Sequence, residues 1–484
     1  MKKMNLLVMS LVSAAALSFT SCSSNDDLAG NAGQAKVDQF YMTLTIQTPN
    51  SNGTRTVVNK PTVDATAAES DVTSGTFYLV DANNKIVFKK SISKEEWAEK
   101  KIPTQGTNGK TTLQVPVENV TAGTKYSVYF LANSESASPL TDVYTSDLAN
   151  KFAKAYSTAN NFAMFNENDA DVKANSHTVV FTSDNKDANS AAKVSSIINI
   201  ERLTARIDEP KSEASVIKPY AVDATASDEE KKANADAVKA VKGVTLTKYA
   251  ISNVANKTNV MQQWADATTL SIPSDISYFQ PTSEFGTKTL LQNYGYFNAV
   301  TTEEGKEKHK DYVFENNSSD AATSMYFEYR VELNQDYKDK ADIKDGTFYR
   351  YNKVIYSRIQ DIIDAYQDQK AIFDGKDADT VVKELKAAQA GPDSEAKLDE
   401  FRKKYDIEVF NAGKTYYVQK IKDRYLGVEN TIQRNSIYLL NVKNIFNVGA
   451  QVPNGGPDDR TLYYLDVEVS VNPWVLNTQD VDFK

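Results

Sequence analysis

Residues 40–47 read Phe-Tyr-Met-Thr-Leu-Thr-Ile-Gln, and this stretch governs the interpretation of the rest of the chain. The apolar side chains of Phe40, Met42, Leu44 and Ile46 alternate with mostly polar ones. Side chains on a β-strand point to opposite faces in turn, so this period of two is typical of a half-buried strand. We therefore predict a strand over 40–47 that buries one apolar face.

A tether follows this strand. Residues 48–54 are Thr-Pro-Asn-Ser-Asn-Gly-Thr, all turn and loop formers. Arg55 comes next and is the first arginine of the chain; the following one is Arg202. Exposed polar tethers are preferred sites of proteolysis. Our hypothesis is that a protease cuts between Arg55 and Thr56, the strand leaves, and another copy fills the groove. The alternative is an ordinary edge strand beside an arginine without a role.

Length and composition limit the remaining choices. The 484 residues predict two domains, and the net charge of −9 argues against nucleic acid as a partner. Cys22 is the only cysteine, so no disulfide can form within the chain, and His177 and His309 are the only histidines. We find no phosphate-binding glycine loop and no nucleophile elbow. The sequence predicts no catalytic residue, no metal site, no cofactor and no enzyme activity.

The first 27 residues resemble an export signal. A short basic start and an apolar run over 6–17 precede Cys22. This order resembles a bacterial lipoprotein signal peptide. The resemblance implies that the Cys22 thiol is lipidated, for example with palmitate. Residues 23–27, Ser-Ser-Asn-Asp-Asp, resemble the acidic tag that sends lipoproteins to the cell surface in Bacteroidetes. The alternative is a buried structural cysteine.

Periodicity along the chain predicts a mainly β fold. The predicted strands are 76–80, 86–88, 113–117, 125–133, 177–182, 195–207, 244–253, 324–333, 414–421, 436–442 and 461–471. Residues 209–241 are charged and are interpreted as a linker or a solvated helical excursion, whereas 353–405 has the apolar spacing of helices. Pro473 cannot donate to a sheet and marks a strand break. An extended segment, 474–484, follows it.

Three C-terminal stretches carry a family resemblance: 413–417 (Gly-Lys-Thr-Tyr-Tyr), 433–438 (Gln-Arg-Asn-Ser-Ile-Tyr) and 469–474 (Val-Ser-Val-Asn-Pro-Trp). Together with the lipoprotein signal, they resemble the Bacteroidales fimbrillins, and among these the major subunits of the fimbrial shaft. Residues 200–206 resemble the strand that closes the first domain in that family. The resemblance is weakest in 209–241 and 353–405.

The resemblance implies two tandem transthyretin-like β-sandwich domains, with a helical insertion in the second. It divides the chain into a signal peptide (1–21), a propeptide with the removable strand (22–55), an N-terminal domain (56–208), a charged linker (209–242), a C-terminal domain (243–472, insertion about 353–405) and a donor strand (473–484).

The resemblance also implies a function. An arginine-specific protease removes the strand, and the groove accepts the C-terminal strand of a neighbouring copy, carried here by Trp474, Val475, Leu476, Val481 and Phe483. Implied partners are further copies of the chain, accessory tip and anchor proteins, and host or bacterial surface receptors. The implied location is the outer membrane and cell surface, where the fimbria supports adhesion and biofilm formation, and the membrane contact is the lipid anchor of the precursor.

Two alternatives stay open. One is a monomeric surface lipoprotein that binds glycan in nutrient uptake and keeps its N-terminus. The other is a tip or anchor component of a fimbria. The donor segment does not alternate cleanly, because Trp474 and Leu476 face one way while Val475, Val481 and Phe483 face the other. Which of them fill the groove is therefore left open.

Overall fold

In a computed structural model, the described residues are 38–48, 66–102, 109–134, 140–149, 151–168, 173–221, 224–279, 297–367, 372–423, 426–428, 430–453 and 465–473. These residues are mainly β, with 38% strand and 22% helix, as predicted. Those from Gln39 onward belong to one compact unit. The finer predictions, a tandem pair of transthyretin-like sandwiches and their boundaries, stay predictions.

The strands of the first half are, in chain order, β1 Phe40–Gln47, β2 Gly75–Val80, β3 Ile86–Ile92, β4 Lys101–Ile102, β5 Lys110–Val117, β6 Lys125–Ala132, β7 Asp147–Ala149, β8 Ser157–Thr158, β9 Asn161–Phe162, β10 Met164–Asn166, β11 Thr178–Val180, β12 Ala192–Lys193, β13 Ile198–Arg202, β14 Ala205–Asp208 and β15 Lys211–Ser212. Those of the second half are β16 Val241–Ser252, β17 Val254–Ala255, β18 Lys257–Asn259, β19 Gln263–Trp264, β20 Leu270–Ser271, β21 Tyr278–Phe279, β22 Asn298–Ala299, β23 Lys310–Val313, β24 Ser324–Leu333, β25 Phe348–Tyr351, β26 Val354–Tyr356, β27 Glu408–Phe410, β28 Lys414–Lys420, β29 Ser436–Ile445 and β30 Leu465–Pro473.

The α-helices are α1 Ala67–Ser70, α2 Lys94–Lys100, α3 Asp228–Ala240, α4 Gln335–Lys340, α5 Ile359–Ala365, α6 Ala378–Ala388 and α7 Ser394–Tyr405. Short 3₁₀ turns lie at Lys151–Tyr156, Ala174–Ser176, Ser183–Lys186, Ala188–Ser190, Ile372–Gly375 and Asn411–Gly413. The helices predicted within 353–405 are thus confirmed as α5, α6 and α7.

One ten-stranded sheet contains the N-terminal strands. Its hydrogen-bonded order is β3-β2-β6-β10-β13-β1-β5-β4, with β11 beside β6 and β12 beside β1. Strand β6 lies inside this sheet, between β2 and β10. Side chains from β2, β6, β10, β13, β1 and β5 meet in a single apolar cluster, which also contains Trp97 of α2. We call this cluster the N-terminal core.

Two further sheets enclose a second core. One has the order β22-β16-β24-β28, and the other has β15-β29-β14-β23 with β30 on the free side of β29. Buried side chains of β16, β24 and β28 meet those of β14 and β29 between the two sheets. Helix α3, in the stretch interpreted as charged linker, begins with a capping box at Ser227 and buries Ala237 and Ala240 in this core. Its acidic first turn stays largely outside.

The strand predicted over 195–207 is wrong as a single element. It is two strands: β13 pairs with β10 and β1 in the ten-stranded sheet, whereas β14 pairs with β23 and β29 in the second set. Leu203, Ala205 and Ile207 are buried, and so are Thr204 and Arg206 between them. The same run of sequence thus passes from one sheet to the next.

Candidate functional site

Strand β1 is an interior strand of the ten-stranded sheet. It pairs antiparallel with β5 along its whole length, from Phe40 opposite Val117 to Gln47 opposite Lys110. On its other side it runs parallel to β12 and β13, with Ile46 opposite Ile198. The strand predicted over 40–47 is therefore confirmed with those bounds, and it has neighbours on both sides, which an edge strand lacks.

The apolar face of β1 is fully buried. Phe40, Met42, Leu44 and Ile46 are between 0% and 3% exposed and belong to the N-terminal core. The Phe40 ring lies 5.6 Å from that of Phe181. Burying four large apolar side chains contributes roughly 6–12 kcal/mol, at about 1.5–3 kcal/mol for each. In the intact chain, β1 is a substantial part of the core.

Polar contacts hold β1 at its C-terminal end, at its middle and on its outer face. Thr48 donates its backbone N–H to the Gly109 carbonyl at 2.9 Å, and the Thr43 carbonyl accepts the N–H of Val194 at 3.0 Å. The hydroxyls of Thr45 and Thr112 are 2.9 Å apart. The outer side chains are half-buried. Without β1, the space between β5 and β13 would span two strand spacings, or roughly 10 Å; we call this space the β1 slot.

A buried polar cluster lies where β13 passes into β14. Arg202 is 0% exposed and donates to the Glu69 carbonyl at 2.7 Å, Ser70 Oγ at 2.8 Å and Asn435 Oδ1 at 2.9 Å. Glu69 Oε1 also accepts Nη1 of Arg206 at 2.8 Å. This cluster, which we call the arginine junction, ties the ten-stranded sheet to the start of β29.

The charge state of Glu69 is set by its neighbours. Burial raises the pKa of its carboxyl, but the Arg206 charge and hydrogen bonds from Thr66, Arg206 and Tyr312 outweigh burial and lower the pKa to about 2. A second buried arginine, Arg434, donates Nη2 to Glu315 Oε2 at 2.8 Å. A buried charge is tolerated only when it is paired and hydrogen-bonded, and these groups are.

The structure brings together only some of the predicted site residues. Phe40, Met42, Leu44 and Ile46 line one face of one strand. Outside the described residues lie Cys22, Arg55, Thr56, Trp474, Val475, Leu476, Val481 and Phe483, and their roles stay predictions. Sequence reasoning missed the arginine junction, although an arginine at an inward position of an apolar strand, as at 202, is the signal that could have found it.

The C-terminal strand β30 includes Pro473, the residue predicted to break it. Its pairing with β29 runs from Leu465 opposite Ile445 to Pro473 opposite Ser436. Among the described strands, β30 has β29 as its single neighbour. The segment predicted to be the donor strand begins at the next residue and lies outside the described residues.

The described residues offer little support for a metal site, a membrane-spanning helix or a sugar-binding platform. No three His, Cys, Asp or Glu side chains there are grouped to hold a metal ion. Every described helix is too short or too polar to cross a bilayer. Trp97 is 5% exposed and packs 5.8 Å from Phe130, and the half-buried Trp264 donates its indole N–H to the Asn168 carbonyl at 2.7 Å. Neither ring is an open platform for a sugar.

Comparison with known proteins identifies a family in the C-terminal part. Residues 408–480 match the family model of the major fimbrial subunit protein type IV, fimbrillin, C-terminal region. This segment contains all three C-terminal stretches that carried the resemblance, and the fimbrillin resemblance is thereby confirmed. No curated protein matches the chain.

Solved structures resemble the chain more distantly. A candidate cell adhesion protein from Parabacteroides distasonis is 12% identical with a TM-score of 0.44, over 91% of this chain and 98% of that one. A fimbrial assembly protein from the same species is 10% identical with a TM-score of 0.27, over 61% and 99%. Candidate polysaccharide-binding proteins from Bacteroides thetaiotaomicron are 12% identical with a TM-score of 0.29, over 86% and 93%. None of these likenesses assigns a function.

Proposed function

We propose that this chain is a structural subunit of a cell-surface fimbria and that it polymerises by donor-strand exchange after a protease removes β1. The observation that carries the proposal is β1 itself: a complete interior strand, core-forming on one face, that is followed by a polar tether with a lone arginine. The fimbrillin match over 408–480 supports a structural role in a fimbria.

Loss of β1 would leave a site built for another strand. The edge groups of β5 and β13 would lose their partners, and the apolar pockets of Phe40, Met42, Leu44 and Ile46 would open. Unpaired strand edges beside an apolar groove are a template for strand addition. The loss of roughly 6–12 kcal/mol of burial is the free energy that a donor strand would restore.

Until cleavage, β1 would keep the slot occupied. A precursor with a filled slot cannot accept a donor, so export and assembly stay separate events. A head-to-tail contact that does not close on itself builds a filament. Cys22 would hold the precursor at the outer membrane by its lipid, and the cut at Arg55 would release the subunit from that anchor.

The C-terminal end supports a donor role because β30 has β29 as its single neighbour among the described strands and reaches Pro473, whose nitrogen cannot donate to a ladder. The segment 474–484 provides eleven residues, roughly 36 Å at strand rise, enough to span the eight residues of β1. A tail of this length favours a shaft subunit over a tip, which needs a slot but no donor.

The first experiment replaces Arg55 by alanine. The Arg55→Ala precursor should fold but stay monomeric, whereas the wild type gives subunits that begin at Thr56 and a ladder of polymers on gels of unheated samples. N-terminal sequencing and mass spectrometry of surface-extracted protein measure both. Arg358→Ala is the matched control, since this arginine lies outside the slot on the helical insertion. Fibres of normal length from Arg55→Ala would refute the cleavage step.

The second experiment removes 474–484. The shortened chain should fold and be cut after Arg55, yet fail to elongate. Unaltered fibre length would eliminate this segment as the donor. A stable monomer that retains lipidated Cys22 in the wild type would instead favour the glycan-binding lipoprotein.

A further inference from the structure

One wall of the β1 slot continues into the arginine junction. Strand β13 lies beside β1 at Ile198, opposite Ile46, and ends at Arg202. There the buried guanidinium donates Nη1 to Oδ1 of Asn435 at 2.9 Å. The backbone N–H of Asn435 in turn donates to the Thr204 carbonyl at 2.9 Å. The end of the slot wall is therefore bonded twice to a single residue.

That residue, Asn435, lies beside the last described pair of β29 and β30. Asn435 directly precedes Ser436, the first residue of β29, and Ser436 pairs with Pro473. The next residue, Ile437, is 1% exposed and belongs to the N-terminal core together with the apolar face of β1. The slot wall is thus joined through Asn435 to the β29–β30 pair at Ser436 and Pro473, and β29 shares a core with β1.

The guanidinium is held in one orientation. Besides Asn435, Arg202 donates to the Glu69 carbonyl and to Ser70 Oγ, so each of its three nitrogens has an acceptor. The donors of a planar guanidinium lie in a fixed fork, so they fix the positions of their acceptors relative to one another. The donors of a lysine ammonium rotate and do not. The neighbouring Arg434 is also fully buried and bonded to Glu315. With two adjacent buried arginines bonded in this way, the connection between β13 and the start of β29 has little freedom to bend.

We infer that Arg202 and Asn435 are positioning residues that fix the direction of the β29–β30 pair relative to the slot of the same subunit, and with it the point from which 474–484 would reach the next subunit. This inference rests on the proposed function. In a polymer in which each tail fills the next slot, the angle between successive subunits depends on that internal direction. Variation at the joint adds up along the fibre, so the junction determines how straight and regular the fibre is.

Asn435 allows a clean test because its backbone φ is 54°, in the left-handed region. Glycine adopts this region freely, so Asn435→Gly removes the side-chain acceptor without straining the backbone. Asn435→Asp keeps an oxygen acceptor and places its charge beside Arg202. Electron microscopy of fibres from trimmed subunits gives the curvature and the spread of subunit-to-subunit angles.

Asn435→Gly subunits should be cut and polymerise, but their fibres should show a shorter persistence length and a broader angular spread; Asn435→Asp fibres should match the wild type. Gly413→Ala, which destabilises the subunit away from the junction, controls for a general loss of stability and should leave curvature unchanged. If Asn435→Gly does not fold, Ser70→Ala removes one Arg202 acceptor and should broaden the spread less.

Straight, regular Asn435→Gly fibres, or Gly413→Ala fibres that are just as irregular, would overturn the inference while the proposed function stands. If trimmed wild-type subunits form no fibres at all, the proposed function fails, and the inference fails with it.

Discussion

Leu44→Ala separates the stability of the precursor from that of the fibre. Leu44 is 1% exposed at the centre of the apolar face of β1 and pairs with Leu113 of β5. Truncating a buried leucine to alanine costs about 2–5 kcal/mol, because transfer free energy is lost and a cavity remains. The Leu44→Ala precursor should therefore unfold more easily than the wild type by this amount.

The mature fibre should respond differently. If β1 leaves at the cut after Arg55, the subunits made from the Leu44→Ala and wild-type precursors are the same molecule. Their fibres should dissociate at the same temperature, although the precursors differ by about 2–5 kcal/mol in free energy of unfolding. A strand retained in the fibre would carry the substitution with it, and the fibre would be less stable.

Urea unfolding of the purified precursor measures the first quantity, and heating of isolated fibres followed by unheated-sample gels measures the second. Thr43→Ala is the matched control, since its half-buried side chain lies on the outer face of the same strand; a change of less than about 1 kcal/mol is expected. Equal effects of Leu44→Ala and Thr43→Ala would refute the packing of β1, and a Leu44→Ala fibre that dissociates at a lower temperature would refute its removal.

The remaining predictions concern the arginine junction and two glycines. The pKa of Glu69 is about 2 in the fold against a usual 4.5, so its ionised form stabilises the fold above the usual pKa, and this contribution is lost as the pH falls towards 2. Glu69→Gln should lower the free energy of unfolding at pH 7 and reduce its decrease between pH 4.5 and 2, as measured by urea titrations. An unchanged decrease over that pH range would contradict the pairing of Glu69 with Arg206. Gly413 has φ +73°, and a Cβ there would lie 2.7 Å from the Val331 carbonyl oxygen. Gly413→Ala should cost clearly more than the roughly 1–2 kcal/mol of left-handed backbone alone. Gly123→Ala, with φ +81° and nothing within 4 Å of its Cβ, should cost only that amount, and equal melting temperatures would contradict the clash.

Local patterns predicted much of the fold. The alternation of 40–47 was sufficient for β1 because a strict period of two has one structural solution, and the helical spacing after 353 was sufficient for α5–α7. Each of these signals lies within a few residues, so no knowledge of distant partners was needed. Pro473, predicted to interrupt the last strand, is instead paired with Ser436 within β30, and the described residues end there.

Features that depend on distant partners were not predictable. The run 195–207 alternates as one strand, but the division at Arg202 depends on contacts with β10 on one side and β29 on the other. The burial of Arg202 and Arg434 depends on acceptors hundreds of residues away, such as Ser70 and Asn435 for the former. A charged residue is exposed by default, and only the assembled fold shows that these two are not.

Because β1 pairs with one parallel and one antiparallel neighbour, the β1 slot favours one direction of the chain that fills it. One neighbour, β5, is antiparallel to it and the other, β13, is parallel. An incoming chain that runs as β1 does would meet amide and carbonyl groups at their native spacing on both flanks. A chain that runs the opposite way would be parallel to β5 and antiparallel to β13. It would lose the better-aligned hydrogen bonds of the eight antiparallel pairs with β5. If β1 leaves as proposed, the β1 slot therefore distinguishes N-to-C from C-to-N, and every strand inserted along a filament would have the same polarity.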